Sequence, residues 1–373
     1  MPPANAPGQT ADAPAQEFEC LHEIVAKARK NLDQNAWDYI AGGTETETTL
    51  RRNRLALDSI AFRPRVLRDV SNVDATVEQF GRKLRLPVFM APVGALETFH
   101  EGAGGAVARA SGEFGCGHML SSVCKPGLEG VAEAAPRALR MYQLYALGDA
   151  GFVDDHVERA MKAGYAAFCL TVDTALYSRR ERDIAKRHVT AGRRRAAGRV
   201  HLAQLDWQTV QRVKARLDIP LILKGIATSE DTKIAVEHGV DWIYVSNHGG
   251  RQLDHGRGAM EALPEVIEAA GGRAKIMVDG SFCRGSDVVK ALAAGADLVG
   301  LGRMQCYALA AAGQAGVARM LELLEDEVKR CLGLAGAASF AGLNRAYLHP
   351  AAPTNPPHVL SAFPLLKIDD YRY

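Results

Sequence analysis

Short apolar runs alternate with longer segments of helical periodicity along most of this chain. Eight short runs rich in apolar residues have glycine or polar residues at or near their ends, a pattern that is typical of buried strands. These predicted strands cover residues 86–93, 118–123, 140–146, 166–173, 220–226, 242–246, 275–279 and 298–302. Alanine-rich segments between them place apolar residues at helical spacing, at 149–163, 229–238, 259–270 and 285–294. The pattern predicts strands joined by crossover helices, and therefore a parallel sheet.

Eight strand–helix units predict an α/β fold, the (β/α)8 TIM barrel. The alternative is a doubly wound open sheet, which usually carries a glycine-rich turn after its first strand. Here the sequence at 91–95 is APVGA, which favours the barrel. We assign residues 18–350 to the barrel, with a disordered N-terminal segment at 1–17 and an extended C-terminal arm at 351–373. The length of 373 residues suits one barrel of roughly 250 residues or more with added segments.

Polar residues and glycines cluster where the predicted strands end. The carboxyl ends of barrel strands form one face, and the active sites of such barrels lie there. Each residue alone has a structural explanation, such as a helix cap for Gln143 or Asp173 and a solvated amine for Lys224. Because all eight strands end in this way, we expect a single site at that face. The residues concerned are Pro92, Gly94, Ser121, Ser122, Gln143, Tyr145, Thr171, Asp173, Lys224, Ser246, His248, Asp279, Gly302 and Arg303.

The segment Ser246–Asp254, at the end of the sixth predicted strand, has the sequence SNHGGRQLD. His248 supplies a titratable base and Arg251 a permanent cation, while Gly249 and Gly250 allow a ligand to approach the backbone. The segment closely resembles the active-site signature of the FMN-dependent 2-hydroxy acid oxidases and dehydrogenases. This family includes glycolate oxidase, L-lactate dehydrogenase and mandelate oxidase, and the resemblance extends over residues 20–350.

The resemblance carries over to matching positions in the motifs WDYIAGG (37–43), QLY (143–145), LTVDT (170–174) and RRE (179–181). It implies that Tyr39, Arg180 and Arg251 hold a substrate carboxylate and that Tyr145 binds the substrate hydroxyl. The catalytic residues that it implies are His248, Asp173, Tyr145 and Lys224. It also implies FMN as the cofactor, held by Pro92, Val93, Gly94, Ser121, Gln143, Thr171, Lys224, Ser246, Asp279, Gly280, Gly302 and Arg303.

The reaction of this family explains why these residue types are needed. Oxidation of a 2-hydroxy acid removes the hydrogen on the carbon beside the carboxylate together with the hydroxyl proton, and two electrons enter the cofactor. His248 suits the general base, with Asp173 fixing its tautomer and stabilising the imidazolium. The planar guanidinium of Arg251 orients a carboxylate as a lysine would not. Lys224 would stabilise negative charge on the reduced flavin.

The expected phosphate site departs from the family pattern. The sequence after Asp279 and Gly280 is SFCRG, so Cys283 stands where the family usually has a phosphate-binding arginine. We expect Arg303 and backbone amides, with Arg284 as a further candidate, to neutralise the phosphate instead.

The expected substrate pocket departs as well. Val123 stands where glycolate oxidases carry a bulky tryptophan, Tyr177 replaces an aliphatic residue, and Gly94 replaces a frequent alanine. These changes predict a roomier pocket and a substrate larger than glycolate. The resemblance implies the S (L) configuration.

Composition limits the partners and the compartment. Lysine and arginine (45) nearly balance aspartate and glutamate (43), which argues against a nucleic-acid partner. The seven cysteines lack CxxC spacing, so we expect neither a disulfide framework nor a metal site. No apolar run approaches the ~20 residues of a membrane span, and we expect a cytoplasmic protein. The expected electron acceptor is oxygen, a quinone or a redox protein, and the resemblance implies a homotetramer.

One segment and two other functions stay open at this point. Residues 183–206 are expected to form an active-site loop whose basic part, 186–199, is either a lid or a solvated segment. The positive charge of this part also suits an anionic substrate or a membrane surface. One alternative function is an FMN barrel isomerase, but that reaction would not explain Tyr39, Tyr145, Arg180 and Arg251, which are expected to bind the substrate. A non-catalytic family member is suggested by Cys283, but the intact His248, Asp173 and Lys224 argue against it.

Overall fold

Eight parallel strands form a closed barrel in the computed structural model, which describes residues 17–188 and 200–367. The barrel strands are β4 (Val88–Met90), β5 (Gly117–Ser121), β6 (Leu139–Leu144), β7 (Ala167–Thr171), β8 (Leu221–Ile226), β9 (Trp242–Val245), β10 (Lys275–Val278) and β11 (Leu298–Leu301). They pair in chain order, and β11 returns to β4 through the register Val299 to Val88. The predicted barrel is confirmed, with each strand inside or within one residue of its predicted range.

The helices follow the strands, with additions at both ends of the chain. They are α1 (Leu21–Asn31), α2 (Gln34–Ala41), α3 (Thr48–Asp58), α4 (Ala103–Phe114), α5 (Leu128–Ala134), α6 (Ala150–Lys162), α7 (Glu181–Ala185), α8 (Trp207–Arg216), α9 (Ser229–Glu237), α10 (Ala259–Ala270), α11 (Gly285–Ala294) and α12 (Arg303–Ala335). Asp149 begins α6 by accepting a hydrogen bond from Phe152 N, and Asp206 and Thr228 cap α8 and α9 in the same way. The backbone leaves helical geometry within α12 at Ala312 and Gly313.

Alternate side chains of the barrel strands belong to two buried clusters, as the twofold periodicity of a strand requires. One cluster contains Met119, Met141, Cys169, Ile222 and Met277. Their neighbours in sequence, Leu120, Tyr142, Leu170, Leu223 and Val278, belong to the cluster shared with the helices. Both faces of the strands are therefore buried, which explains why they appear in the sequence as continuous apolar runs.

A small hairpin covers the amino-terminal end of the barrel. Its strands β2 (Val77–Gln79) and β3 (Arg82–Leu84) pair antiparallel. Phe80 at its turn stacks on Trp242, the first residue of β9, with ring centroids 4.6 Å apart. Leu84 joins the same cluster as the barrel interior. Because this end is closed by packing, the other end is left for a ligand.

Segments near both ends of the described chain pack against each other. Strand β1 (Ile60–Phe62) pairs antiparallel with β12 (Leu348–Pro350). Beyond β12, Leu360 and Phe363 are buried, and Phe363 contacts His22 of α1 edge to face. Parts of the predicted disordered segment (1–16), active-site loop (189–199) and C-terminal arm (368–373) lie outside the described residues. Within the two described ranges, no helix has the length and apolarity needed to cross a bilayer.

Candidate active site

A cavity opens at the carboxyl ends of the barrel strands, where the sequence predicts the site. Fifteen of the predicted site residues line it: Tyr39, Pro92, Val93, Gly94, Val123, Tyr145, Tyr177, Arg180, Lys224, His248, Arg251, Asp279, Gly280, Gly302 and Arg303. The other five lie outside this lining at the same strand ends: Ser121, Gln143, Thr171, Asp173 and Ser246. The structure therefore brings the predicted residues of all eight strands to one place.

His248 is the centre of a polar cluster in this cavity. Its Nε2 lies 3.0 Å from the Tyr145 hydroxyl. Its Nδ1 lies 3.2 Å from Asp173 Oδ1 and 3.2 Å from Lys224 Nζ. The neutral tautomer that satisfies most partners donates Nδ1–H to Asp173 and accepts the Tyr145 proton at Nε2. Since Nδ1–H and the Lys224 ammonium are both donors, Lys224 acts on the ring through its charge and not through a hydrogen bond.

The charges of the cluster set the protonation of the base. Burial and the Lys224 ammonium lower the pKa of His248 below its usual 6.5, although the Asp173 carboxylate acts in the opposite direction. Burial acts to raise the pKa of Asp173, but Lys224 and His248 outweigh it and hold that pKa below its usual value. At neutral pH the site therefore contains a neutral imidazole beside an ionised carboxylate, which is the resting state that a general base needs.

The backbone at His248 is held in a conformation that few residues adopt. His248, Gly249 and Gly250 have φ values of +60°, +65° and +75°. A side chain on Gly250 would lie 2.5 Å from the Leu50 nitrogen, and one on Gly249 would lie 2.9 Å from Arg303 Nη1. These two positions therefore require glycine. A left-handed histidine costs about 1–2 kcal/mol, and such strain is concentrated at functional sites.

Two arginines and a tyrosine meet on one side of the cavity. The Arg251 guanidinium lies 4.9 Å from the Tyr39 ring centroid and donates to the carbonyl oxygens of Tyr39 (2.5 Å) and Gly42 (2.9 Å). The Arg180 guanidinium lies 5.9 Å from the same ring and 4.9 Å from the Tyr177 ring. Burial and the neighbouring Arg180 lower the pKa of Arg251 to about 10, so Arg251 stays protonated at neutral pH. Two close cations of this kind suit an anionic ligand.

The strand ends also carry buried polar atoms that fit a flavin. Gln143 Nε2 and Oε1, Thr171 Oγ1 and Asp279 Oδ1 are buried and have no hydrogen-bond partner in the described protein. Buried polar groups are almost always paired, so these atoms call for a ligand with complementary donors and acceptors. The amide-like edge of an isoalloxazine and the hydroxyls of a ribityl chain supply such groups. Gly302 and Arg303 lie at the amino-terminal end of α12, where backbone N–H groups and the Arg303 guanidinium suit a phosphate.

The structure corrects the expectation for Arg284. Its guanidinium pairs with Glu327 at 2.6 Å and donates to the carbonyl oxygen of Ala362, and it does not line the cavity. Cys283 does line the cavity, and burial raises the pKa of its thiol to about 12, so it stays neutral. Among the described residues that line this end, Arg303 supplies the positive charge.

The structure also corrects the expectation for Gly94. A methyl group on Gly94 would lie 2.7 Å from Cγ2 of Val123. The space that a larger residue at 94 would use is therefore filled by Val123, and the two small residues do not enlarge the cavity independently. The predicted increase in pocket volume therefore depends on Val123. Tyr177 changes the shape of the pocket wall by adding an aromatic face.

Several lining residues were missed by sequence reasoning. They are Ile40, Ala91, Phe99, Leu147, Thr174, Leu176, Leu202, Gln252, Ser281, Phe282 and Cys306. Phe99 stacks with Tyr39 at 6.0 Å between ring centroids. Gln252 lies inside the recognised motif and donates to the carbonyl oxygens of Asp173 and Leu176. Its place in the motif was the available signal, whereas Phe99 and Leu202 carry none.

Comparison with known proteins decides the family. The family model described as FMN-dependent dehydrogenase matches residues 28–350. The chain belongs to the FMN-dependent 2-hydroxy acid oxidase and dehydrogenase family. Glycolate oxidase 1 of Zea mays is 39% identical over 354 residues, which cover 89% of this chain and 96% of that protein. L-lactate oxidase of a Nostoc species is 36% identical over 355 residues, which cover 88% of this chain and 97% of that protein.

Solved structures agree with the family assignment. Mandelate oxidase with 3,3-difluoro-2-hydroxy-3-phenylpropionic acid is 38% identical with a TM-score of 0.82, covering 89% of this chain and 98% of that one. A mandelate oxidase variant with the C4a-OH-FMN adduct has a TM-score of 0.80 at 38% identity, covering 88% of this chain and 98% of that one. This family member is therefore an FMN-dependent oxidoreductase that oxidises the CH–OH group of 2-hydroxy acids, and the predicted fold and cofactor are confirmed.

Proposed function

We propose that the chain oxidises an L-2-hydroxy acid to the 2-oxo acid with His248 as the base. The observation that carries the proposal is the position of His248 Nε2, which faces the cavity 3.0 Å from the Tyr145 hydroxyl while Nδ1 faces Asp173. Nε2 carries no proton in this tautomer, so it can accept one from the substrate when the substrate hydroxyl replaces the Tyr145 hydroxyl as its hydrogen-bond donor, and the ionised Asp173 then stabilises the imidazolium. FMN, when bound, accepts the two electrons of the oxidation. Tyr145 orients the substrate hydroxyl beside Nε2.

Arg180, Arg251 and Tyr39 hold the substrate carboxylate in this proposal. The support is the meeting of both guanidinium groups on the Tyr39 ring, at 5.9 and 4.9 Å. Arg251 is fixed by two backbone carbonyls and keeps further N–H groups for a ligand. The carboxylate is thereby oriented so that the hydroxyl-bearing carbon lies between His248 and the cofactor site.

Lys224 has an electrostatic role. It is 3% exposed at the end of β8, and its ammonium lies 5.5 Å from the Tyr244 ring centroid and 3.2 Å from His248 Nδ1. A buried cation at this strand end favours the negative charge that a flavin acquires on reduction. The same cation keeps the resting His248 unprotonated.

The substrate is larger than glycolate. Support comes from the apolar and aromatic part of the cavity lining, which includes Phe99, Val123, Leu147, Leu176 and Tyr177. Glycolate has no side group on its reacting carbon, so it would bury less apolar surface against this lining than a larger acid. Each additional buried methylene or ring contact is worth ~1–3 kcal/mol, a preference of about ten- to two-hundredfold.

Oxygen is the electron acceptor that we propose, because the relatives include glycolate and L-lactate oxidases. A quinone or a redox protein would appear as slow reoxidation of the reduced protein in air and fast reoxidation by a soluble quinone. We further propose a homotetramer in the cytoplasm, which sedimentation of the purified protein and cell fractionation test.

The substrate proposal is tested by anaerobic flavin reduction with glycolate, L-lactate, a long-chain L-2-hydroxy acid and S-mandelate. We expect the larger acids to reduce the flavin best, and Val123→Trp to move the preference towards glycolate. The matched control is Val123→Ile, which adds one methylene to the same wall. The size argument fails if glycolate is the best substrate of the unmodified protein, or if Val123→Trp leaves the ranking unchanged.

A further inference from the structure

Four charged side chains form a network behind the cavity that the proposed chemistry does not use. The members of this Arg182 network are Asp38, Glu47, Arg182 and Lys186. Arg182 donates Nε and Nη2 to the two carboxylate oxygens of Glu47 at 2.7 and 2.8 Å, and Nη1 to Asp38 Oδ1 at 3.2 Å. Lys186 Nζ donates to the second Asp38 oxygen at 2.5 Å. A bidentate hydrogen-bonded pair between a guanidinium and a carboxylate fixes the relative orientation of the two side chains as well as their separation.

Most atoms of the Arg182 network are buried, so solvent screens their charge interactions only weakly. The Asp38 side chain is fully buried, and those of Arg182 and Glu47 are 17% and 18% exposed. Arg182 is not among the described residues that line the cavity. Any effect of Arg182 on the reaction must therefore pass through the segments that it joins.

Those segments carry the residues proposed to hold the substrate carboxylate. Arg182 lies in the first turn of α7, two positions after Arg180. Asp38 immediately precedes Tyr39 in α2. Glu47 Oε1 also accepts from Gly43 N at 3.0 Å. The adjacent Gly42 carbonyl accepts from Arg251 at 2.9 Å and from Arg303 at 3.0 Å.

Arg180 needs such support because its own contacts fix it weakly. Its Nε is buried without a hydrogen-bond partner in the described chain, and its guanidinium lies over the Tyr177 and Tyr39 rings. Ring contacts restrict direction less than hydrogen bonds do. Helix α7 has only five residues, so its place depends on what it is tied to.

We propose that Arg182 is a positioning residue for the substrate carboxylate site. By fixing α7 against α2 and the Gly42–Gly43 turn, it sets the separation between Arg180 on one side and Tyr39 and Arg251 on the other. This inference rests on the proposed carboxylate role of Arg180, Arg251 and Tyr39. It assigns a function to an ion pair that would otherwise serve stability alone.

The test is stopped-flow anaerobic reduction of the holoenzyme by L-lactate and S-mandelate, which separates the substrate Kd from the limiting rate. We expect Arg182→Leu to raise Kd about tenfold or more, because a displaced Arg180 would weaken its charge-assisted hydrogen bonds to the substrate carboxylate. Arg182→Lys keeps the positive charge but loses the bidentate hydrogen bonds to Glu47, and its Kd should lie between those of the unmodified protein and Arg182→Leu. The flavin spectrum and content should stay unchanged in both. Arg179→Leu is the matched control, because the Arg179 side chain is 67% exposed and pairs with Glu181 at 3.6 Å.

The variant Arg180→Leu separates this inference from the function on which it depends. A raised Kd in Arg180→Leu, together with an Arg182→Leu that behaves like the control, overturns the positioning role alone. An unchanged Kd in Arg180→Leu overturns the carboxylate assignment and the positioning role with it. A lower melting temperature in Arg182→Leu without any change in Kd shows a purely structural ion pair and also overturns the inference. If Arg182→Leu does not fold, Glu47→Gln keeps the size of the partner and should raise Kd in the same direction by less.

Discussion

The two ends of the cavity supply charge in different ways. At the histidine end, Tyr145, Asp173 and Lys224 each lie within 3.2 Å of a ring nitrogen of His248, so one carboxylate and one ammonium act on the same imidazole. We call the lining at Cys283, Gly302 and Arg303 the phosphate end, because we propose that the FMN phosphate binds there. Arg303 donates instead to the backbone carbonyls of Ile40, Gly249 and Gly42, at 2.8, 3.0 and 3.0 Å. Its neighbour Cys283 is neutral at physiological pH.

The difference shows which part of the site depends on mutual geometry. Proton transfer requires that the histidine end be complete before the substrate arrives. The phosphate end has a cation without a carboxylate partner in the described protein, and burial lowers the pKa of Arg303. An anionic ligand completes the charge balance there, and a missing second cation weakens binding without changing the chemistry. We therefore expect changes at the two ends to separate catalysis from cofactor retention.

The largest effect is expected from His248→Ala. It should lower the rate of anaerobic flavin reduction by ~10²–10⁴-fold because the general base is lost, while bound flavin is retained. Stopped-flow absorbance measures the rate, and the flavin spectrum measures the content. The matched control is His255→Ala, an exposed histidine outside the cavity lining. Reduction at the original rate would remove His248 from the mechanism.

A smaller effect is expected on the substrate side of the histidine end. Nη1 of Arg251 donates to both backbone carbonyls, which leaves Nε and Nη2 to bind the carboxylate. Arg251→Lys keeps the charge but loses this planar pair of donors. A charge-assisted hydrogen bond is worth about 1.5–3 kcal/mol, so the substrate Kd should rise about ten- to a hundredfold. Anaerobic reduction at varied substrate concentration measures it. An unchanged Kd would refute the carboxylate assignment.

At the phosphate end, Arg303→Ala should weaken FMN binding about ten- to a hundredfold. The change removes the positive charge and also takes a hydrogen-bond donor from the carbonyl oxygens of Ile40 and Gly249, while Gly42 keeps the one from Arg251, so the protein without flavin should melt at a lower temperature. Fluorescence of released flavin on dilution measures the affinity. Full retention of flavin would mean that the phosphate is held elsewhere.

Cys283→Arg should change FMN affinity in the opposite direction from Arg303→Ala and by less. We expect FMN to bind up to about tenfold more tightly. The new cation would lie near Arg54, which already pairs with Asp287 at 2.8 Å. The variant should therefore lose stability without flavin and regain it with flavin. Equal affinity for FMN in both proteins would show that position 283 lies too far from the phosphate to matter.

The smallest expected change is in the pH dependence. Because His248 has a lowered pKa and must be unprotonated to act, flavin reduction should be constant near neutral pH and fall only below about pH 6.5. Asp173 raises the pKa of His248, so Asp173→Asn should slow flavin reduction. It should also move the acid limb, which is the fall in rate at low pH, to a lower pH. A limb that moves to higher pH would contradict this arrangement of charges.

The sequence predicted most of the fold because its signals are local. Each barrel strand is a short apolar run bounded by polar residues, and residues 259–270 and 285–294 match the helices found there. The three-residue strands of the β2–β3 hairpin and of the β1–β12 pair are too short to give a periodic signal.

The site was predictable where a strand end fixes a residue and unpredictable where loops decide. Phe99 and Leu202 reach the cavity only because of the path of their loops. The Arg182 network joins positions 38, 47, 182 and 186, and no spacing in the sequence indicates that these charges meet. Arg284 was misjudged because its partner Glu327 lies far along the chain in α12.

The most direct test of the division between the two ends is the reduction rate of Arg303→Ala after it has been saturated with added FMN. The account predicts that the reloaded variant is reduced by S-mandelate or L-lactate at close to the original limiting rate, while fully loaded His248→Ala remains slow. A reloaded Arg303→Ala that is as slow as His248→Ala would contradict it, because the phosphate end would then be part of the chemistry.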